Sequence, residues 1–255
     1  MPDSAAIGCV SWDKTDGWLC CGAVNGLVKI IHIEQDDANK TNVATFTLDG
    51  HQETGAKVIA CCWNEVHHKL TTTDESGHII VWMNQSRAWQ EEMVNNRQCS
   101  VVSDMHWAPD GSRICIAYHD GAVIVGKVDG TRVWGKELEL PLHKLAWSPS
   151  CQNILFSTRD GDVFVYDADG NQINKMELQS RSVRGPSNVA AMSWCASRIA
   201  CVHYVLSSEV AVGHRGSLPP STAFPGPHAT TKSTREQKNV LSFVLLFSAG
   251  THRAE

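Results

Sequence analysis

The sequence predicts an all-β chain of repeated four-stranded units, and three observations carry that prediction. A tryptophan is followed fourteen positions later by a turn glycine four times over: Trp12 and Gly26, Trp63 and Gly77, Trp107 and Gly121, Trp147 and Gly161. Successive tryptophans, with Trp194 as the fifth, stand 51, 44, 40 and 47 residues apart. Apolar and polar residues alternate between them with a period of two, and residues 1–180 hold no sustained helical apolar period. A period of about 40–45 residues with four strands per unit is the signature of a WD-repeat β-propeller. One such sheet cannot bury both faces by itself. The units must therefore stack around an axis, with each tryptophan a wedge between neighbouring sheets.

The units are read at residues 7–50, 55–97, 100–139 and 141–180, with the start of a fifth at 187–195. In the first, Cys9–Trp12 is a strand and Asp13–Gly17 a turn, because Asp and Gly supply the acceptor and the dihedral freedom that a reversal needs. Trp18–Gly22 is the next strand. Asn25-Gly26 predicts a type I′ hairpin, with φ > 0 at both central residues. Leu27–Ile33 and Val43–Leu48 follow, ahead of Asp49-Gly50-His51. The second unit repeats the plan with Lys57–Trp63, Lys69–Thr73, the Ser76-Gly77 turn, His78–Met83 and Trp89–Asn96.

In the third unit Val101, Ser103, Met105 and Trp107 alternate with Val102, Asp104 and His106, which predicts two opposite faces. Arg113–Tyr118, the Asp120-Gly121 hairpin, Ala122–Val128 and, past Asp129-Gly130, Arg132–Leu138 complete it. The fourth runs through Trp147, Asn153–Thr158, Asp160-Gly161, Asp162–Asp167, Asp169-Gly170 and Gln172–Leu178. The fifth opens with Asn188–Trp194 and then loses the pattern. Ser208 stands where the turn glycine is due, and Leu218–Lys238 holds four prolines among Ser, Thr, Gly and Lys. Residues 196–255 are therefore expected to be a disordered or irregular tail, in which Leu241–Phe247 could form a short helix or strand. Four units and one strand fall short of the seven common in WD propellers. The sequence thus reads as a truncated propeller in preference to a small closed ring or an open arc.

The polar network usual in WD repeats joins a His after Gly, a strand Ser/Thr, a turn Asp and a Trp. Gly50-His51, Thr72 and Trp82 offer it in the second unit, whereas Val125-Gly126 replaces the third-strand aromatic in the third. The repeat is expected to be divergent.

Composition excludes several function classes. The 255 residues are 42% hydrophobic and 19% charged, a globular composition with mass enough for a core. The net charge of −5 is uneven: residues 196–255 carry six Lys/Arg against three Asp/Glu, and residues 1–195 sixteen against twenty-four. An acidic repeat region argues against bulk binding to nucleic acid or anionic lipid. Of ten cysteines, Cys20-Cys21 and Cys61-Cys62 lie in apolar runs, and no C-x-x-C or Cys/His set has metal spacing. They read as buried thiols of a reducing compartment, with no bound metal. The polar opening Met1–Ser4 predicts no signal peptide, hence a cytoplasmic chain whose sequons at Asn39 and Asn84 go unused. The apolar stretch Val240–Phe247 is far short of the ~20 residues that span a bilayer, so no transmembrane segment is expected.

The motifs that suggest chemistry do not survive inspection. Gly121–Val128 nearly matches a phosphate loop, but Val128 replaces the metal-binding Ser/Thr and the intervening residues make a strand. His119-Asp120 lacks a nucleophile elbow, and Asp120 is needed by the turn. The pairs Asp36-Asp37, Asp74-Glu75 and Glu91-Glu92 are read as solvated edges. No catalytic residue and no cofactor are expected. The residues expected to matter are the blade tryptophans and glycines named above and one candidate partner surface, Trp89, Glu91, Glu92, Asn96 and Arg97, since loops on a rigid scaffold carry recognition.

The strings Cys62–Met83, Trp89–Arg97, Asp120–Gly126 and Val128–Lys136 go beyond the generic repeat. In them the chain resembles, over about residues 7–195, the first propeller of the WD-repeat subunit of intraflagellar transport complex A. A tubby-like family with a related N-terminal region is the nearest confusable relative. The resemblance implies a non-enzymatic scaffold in retrograde ciliary transport, cilium assembly and delivery of membrane proteins to cilia. Its implied partners are the other complex A subunits and ciliary membrane cargo, and its implied location the cytoplasm, the ciliary base and the axoneme. Chains of that family continue into a second propeller and a helical-repeat half. The alternative is a generic WD adaptor such as a ubiquitin-ligase substrate receptor, which the tubby-like relative suggests.

Overall fold

The alternating strand sequences pair into five antiparallel meanders. The computed structural model describes residues 5–35, 41–53, 55–85, 88–97, 100–176, 188–195, 199–205 and 243–248. Sheet one is β1 (Ile7–Trp12), β2 (Trp18–Ala23), β3 (Val28–Gln35) and β4 (Thr41–Leu48). Sheet two is β5 (Val58–Asn64), β6 (Lys69–Asp74), β7 (His78–Gln85) and β8 (Ala88–Asn96). Sheet three is β9 (Val102–Trp107), β10 (Arg113–Tyr118), β11 (Ala122–Lys127) and β12 (Arg132–Glu137). Sheet four is β13 (Leu142–Trp147), β14 (Asn153–Thr158), β15 (Val163–Asp167) and β16 (Gln172–Met176). Among the described residues there is no helix.

The first strands of successive sheets lie side by side in the order β1, β5, β9, β13 and β17 (Asn188–Cys195). This arrangement is radial: inner strands converge while the later strands of each sheet run outward. Apolar side chains fill the three spaces between the first four sheets. Val28, Ile30, Trp63, Leu70 and Trp82 pack between sheets one and two. Met105, Trp107, Ile114, Ile116 and Tyr118 pack between two and three, and Val123, Leu145, Trp147, Phe156 and Tyr166 between three and four. The all-β propeller class is the observed one.

Three local expectations need correction. First, Asn25 is absent from the residues with φ > 0, and Gly26 alone has φ 81°. The hairpins are therefore not type I′. In sheets two, three and four the amides of Gly77, Gly121 and Gly161 donate to the carbonyls of Asp74, Tyr118 and Thr158, at 3.1, 3.1 and 3.2 Å. Their φ values are 86°, 90° and 91°. This is a type I turn closed by one left-handed glycine, so only that position demands φ > 0. Second, Val102 joins Met105 and Trp107 in one core although strict alternation sets them on opposite faces. The pairing of β10 with β9 slips between Ala117 and Tyr118, and such a bulge re-aims the residue beyond it. Third, the fifth sheet extends past its expected single strand. β17 (Asn188–Cys195) pairs with β18 (Ile199–Val205), which pairs with β19 (Phe243–Ser248). The apolar, β-branched stretches on both sides of the proline-rich segment suit strand pairing better than their overall tail composition suggests.

Candidate functional site

The tryptophan wedges set the geometry on which any surface of this protein rests. Trp63 lies on β5, and its indole N–H donates across to the Ser11 carbonyl of sheet one at 3.1 Å. Trp107 donates to Thr71 Oγ1 of sheet two at 3.0 Å, and Trp147 to the His106 carbonyl of sheet three at 3.0 Å. Each wedge is thus buried against, and bonded to, the preceding sheet. Trp12 is the exception, at 48% exposed beside Ile7 and Val10, on the open flank of β1. Trp194 lies on β17.

The polar network of the second sheet is complete and fully buried. Trp82 Nε1 donates to Thr72 Oγ1 at 2.8 Å, and Thr72 Oγ1 lies 2.8 Å from His51 Nε2. His51 Nδ1 lies 2.8 Å from Asp74 Oδ2. Asp74 Oδ1 accepts from the Ser76 hydroxyl at 2.6 Å, the Ser76 amide at 2.9 Å and the His78 amide at 3.1 Å. One proton arrangement serves the whole chain: Trp82 to Thr72, Thr72 to His51, His51 to Asp74. Burial works to raise the Asp74 carboxyl, but the donors from His51, Ser76 and His78 outweigh it and hold its pKa at about 2. Asp74 is therefore an anchor of the sheet, and its reading as a solvated edge is wrong. Gly50 precedes His51 for a spatial reason. A Cβ there would stand 2.7 Å from Ile80 Cδ1 and 2.8 Å from the Trp82 ring.

The structure does not bring the five residues of the expected partner surface together as one exposed patch. Trp89 turns inward, stacking edge-on against Trp18 and Trp63 with centroids 5.5 and 5.7 Å away. Arg97 bridges to sheet three, with Nη2 at 3.1 Å from Glu137 and 3.4 Å from Asp120, and its guanidinium 4.8 Å above the Tyr118 ring. Glu92 is held by Lys69 Nζ at 2.6 Å. Glu91 and Asn96 are exposed on β8. Two of the five staple sheets together, and two remain open to solvent. The acidic pair Asp36-Asp37 lies outside the described residues.

Sequence reasoning missed two bridges. Asp104, buried on β9, accepts the Leu145 amide of sheet four at 3.0 Å; burial works to raise its carboxyl, but His106, Lys144 and that amide keep it below its ordinary value. Asn64 Nδ2 donates to the Gly111 carbonyl at 2.9 Å, tying sheet two to the first turn of sheet three. A carboxylate or amide at a core-facing strand position was the only available signal. Among the described residues no group of His, Cys, Asp and Glu has the arrangement of a metal site.

The family described as "WDR35/TULP4 N-terminal", a β-propeller family, matches residues 1–215. The chain belongs to it. The match runs past Cys195, where the resemblance was expected to stop, and takes in β18. Within the WDR35/TULP4 N-terminal family, the chain is 47% identical over 148 residues to WD repeat-containing protein 35 of Homo sapiens, which covers 54% of this chain and 12% of that protein. It is 37% identical over 129 residues to Tubby-related protein 4 of Homo sapiens, covering 49% of this chain and 8% of the relative. The chain thus spans about an eighth or less of the length of these relatives. A WD repeat-containing protein and a tubby-related protein are thus both among the relatives. A chain in the crystal structure of a mitotic checkpoint complex superposes with a TM-score of 0.63 at 20% identity, covering 81% of this chain and 60% of that one, a likeness of fold.

Proposed function

We propose that this chain is the propeller part of a non-enzymatic scaffold of intraflagellar transport complex A, acting in retrograde ciliary transport, cilium assembly and delivery of membrane proteins to cilia. The observation that carries the reading is the family match over residues 1–215, with 47% identity to WD repeat-containing protein 35. The geometry agrees with a platform role. Among the described residues, Asp104 and Arg97 are bonded from sheet three to sheet four and from sheet two to sheet three, and Asp74 ties together the turn and strands of sheet two. The partners on this reading are other complex A subunits and ciliary membrane cargo. The places of action are the cytoplasm, the ciliary base and the axoneme. Among the described residues no helix is long and apolar enough to cross a membrane.

The test is a tagged chain expressed in ciliated cells. Co-purification of complex A subunits, with the tag concentrated at the ciliary base, is the expected result; a preparation free of them rejects the reading. The 37% identity to Tubby-related protein 4 favours a second reading, a WD adaptor such as a ubiquitin-ligase substrate receptor. Recovery of ligase components in the same purification, without complex A subunits, would select it.

A further inference from the structure

The third strands of sheets two, three and four share one local plan. In each, the ladder to the outer strand slips at the same place, five residues past the hairpin glycine: at Trp82, Gly126 and Tyr166. The residues paired across from these three are Glu91, Arg132 and Gln172. In sheets two and four an aromatic ring at this position packs into the space toward the preceding sheet. Sheet three has no ring there. A Cβ added to Gly126 would meet only Thr131 O at 3.7 Å and Ile114 Cγ2 at 3.8 Å, so the space is open. The side chains around it keep surface that their counterparts lose. Ile114 and Ile116 are 7% and 8% exposed, where Leu70, Thr72, Ile154 and Phe156 are at 0%. A cavity of about 450 Å³ occupies this gap between sheets two and three, within the range of small-molecule sites.

Around Gly126 the walls are apolar, with Ile114 and Ile116 on one side and Ile79 and Val81 of sheet two on the other. Part of the polar lining is already committed. Thr71 Oγ1 accepts from Trp107, and Arg97 and Glu137 bond to each other. Asn95, Asn96, Lys127 and Arg132 remain, all at exposed positions on the rim. Arg132 stands beside the vacant ring position as its partner across the ladder. Lys127 has Asp129 near it in the turn, whereas no described carboxylate is ion-paired to Arg132. Sheet four shows what the far edge of a ring does at this place: the Tyr166 hydroxyl donates to Gln172 Oε1 at 3.3 Å. Arg132, in the position of Gln172, has donors only. A ring seated between Gly126 and Arg132 therefore needs an acceptor at its far edge. A carboxylate matches the guanidinium fork in both shape and charge.

We infer that the gap between sheets two and three binds an aromatic carboxylic acid, its ring over Gly126 in the place of Trp82 and Tyr166 and its carboxylate on Arg132. The probe is 4-methylbenzoate, a tyrosine side chain with a carboxylate for its hydroxyl, titrated into the intact chain by ligand-observed NMR. Saturable binding is expected, with 4-methylbenzamide and 4-methylcyclohexanecarboxylate each several-fold weaker. Arg132→Gln, at an exposed position, should weaken the acid about fivefold and leave the amide unchanged. Gly126→Tyr should abolish binding by restoring the ring found in sheet four; Gly126 is not among the glycines with φ > 0, so a side chain is tolerated. Gly126→Leu, a smaller plug, gives the same readout if Gly126→Tyr misfolds. Absence of saturable binding, either analogue binding as tightly as the acid, an unchanged affinity in R132Q, or unchanged binding in both Gly126 variants would each overturn the assignment.

Discussion

Replacing Asp74 by alanine tests the buried network of sheet two. The carboxylate accepts four hydrogen bonds, from His51 Nδ1, the Ser76 hydroxyl and the amides of Ser76 and His78, at 2.6 to 3.1 Å. His51 and Asp74 are both fully buried, and the substitution leaves four donors without their acceptor. Removing one member of such a pair costs about 3–5 kcal/mol. The assay is urea unfolding followed by tryptophan fluorescence. A pH series adds an independent arm. The folded carboxyl, at about 2, lies below its unfolded value of 3.8, so its stabilisation is present above pH 3.8 and is lost as pH falls through 2. That shift corresponds to roughly 2 kcal/mol, and the gap between wild type and D74A should narrow by that amount between pH 5 and pH 2. His51→Ala and D74A should be strongly non-additive, because each orphans the other. A cost below about 1 kcal/mol at neutral pH, or a gap that stays constant with pH, would refute the reasoning.

Other substitutions follow from the same geometry. Trp107→Ala removes a buried wedge and its bond to Thr71, and should cost about 3–5 kcal/mol in urea unfolding. Trp12→Ala, at a side chain 48% exposed, should cost half of that or less. Gly121→Val places a branched residue at φ 90° with its Cβ 2.8 Å from the Leu140 nitrogen, and should lower stability by at least about 1–3 kcal/mol, read as a fall in thermal midpoint. Burial pushes the thiols of Cys62 and Cys115 well up from their ordinary values. At neutral pH both should resist iodoacetamide in the native chain and react once urea unfolds it, as mass spectrometry of the labelled peptides would record.

The fold was legible because its main signals are covalent spacings. A tryptophan and a glycine fourteen residues apart fix two strands and a turn in one unit, and repetition then requires stacking. Finer features depend on contacts that a linear pattern does not hold. The bulge opposite Tyr118 moved Val102 into the core between sheets two and three, where alternation had excluded it. Asp74 looked like half of an acidic pair because sequence places Glu75 beside it, although the network offered by His51, Thr72 and Trp82 calls for a turn Asp; its partner His51 is 23 residues away along the chain. Trp89 and Arg97 stood in a polar, outward-reading stretch. Their partners Trp18 and Glu137 come from other sheets, and those contacts turn both residues to cohesion. Glycine at position 126 was visible as a missing aromatic, but the space it leaves requires the facing sheet to be placed.

Radial stacking itself is tested most directly by amide hydrogen exchange on the wild-type chain and on W107A. Trp107 sits on β9 of sheet three and is bonded to Thr71 on β6 of sheet two. If the two sheets share one packed interface, the substitution should speed exchange in β6 and β10 together. Faster exchange confined to sheet three, with β6 unchanged, would contradict the account.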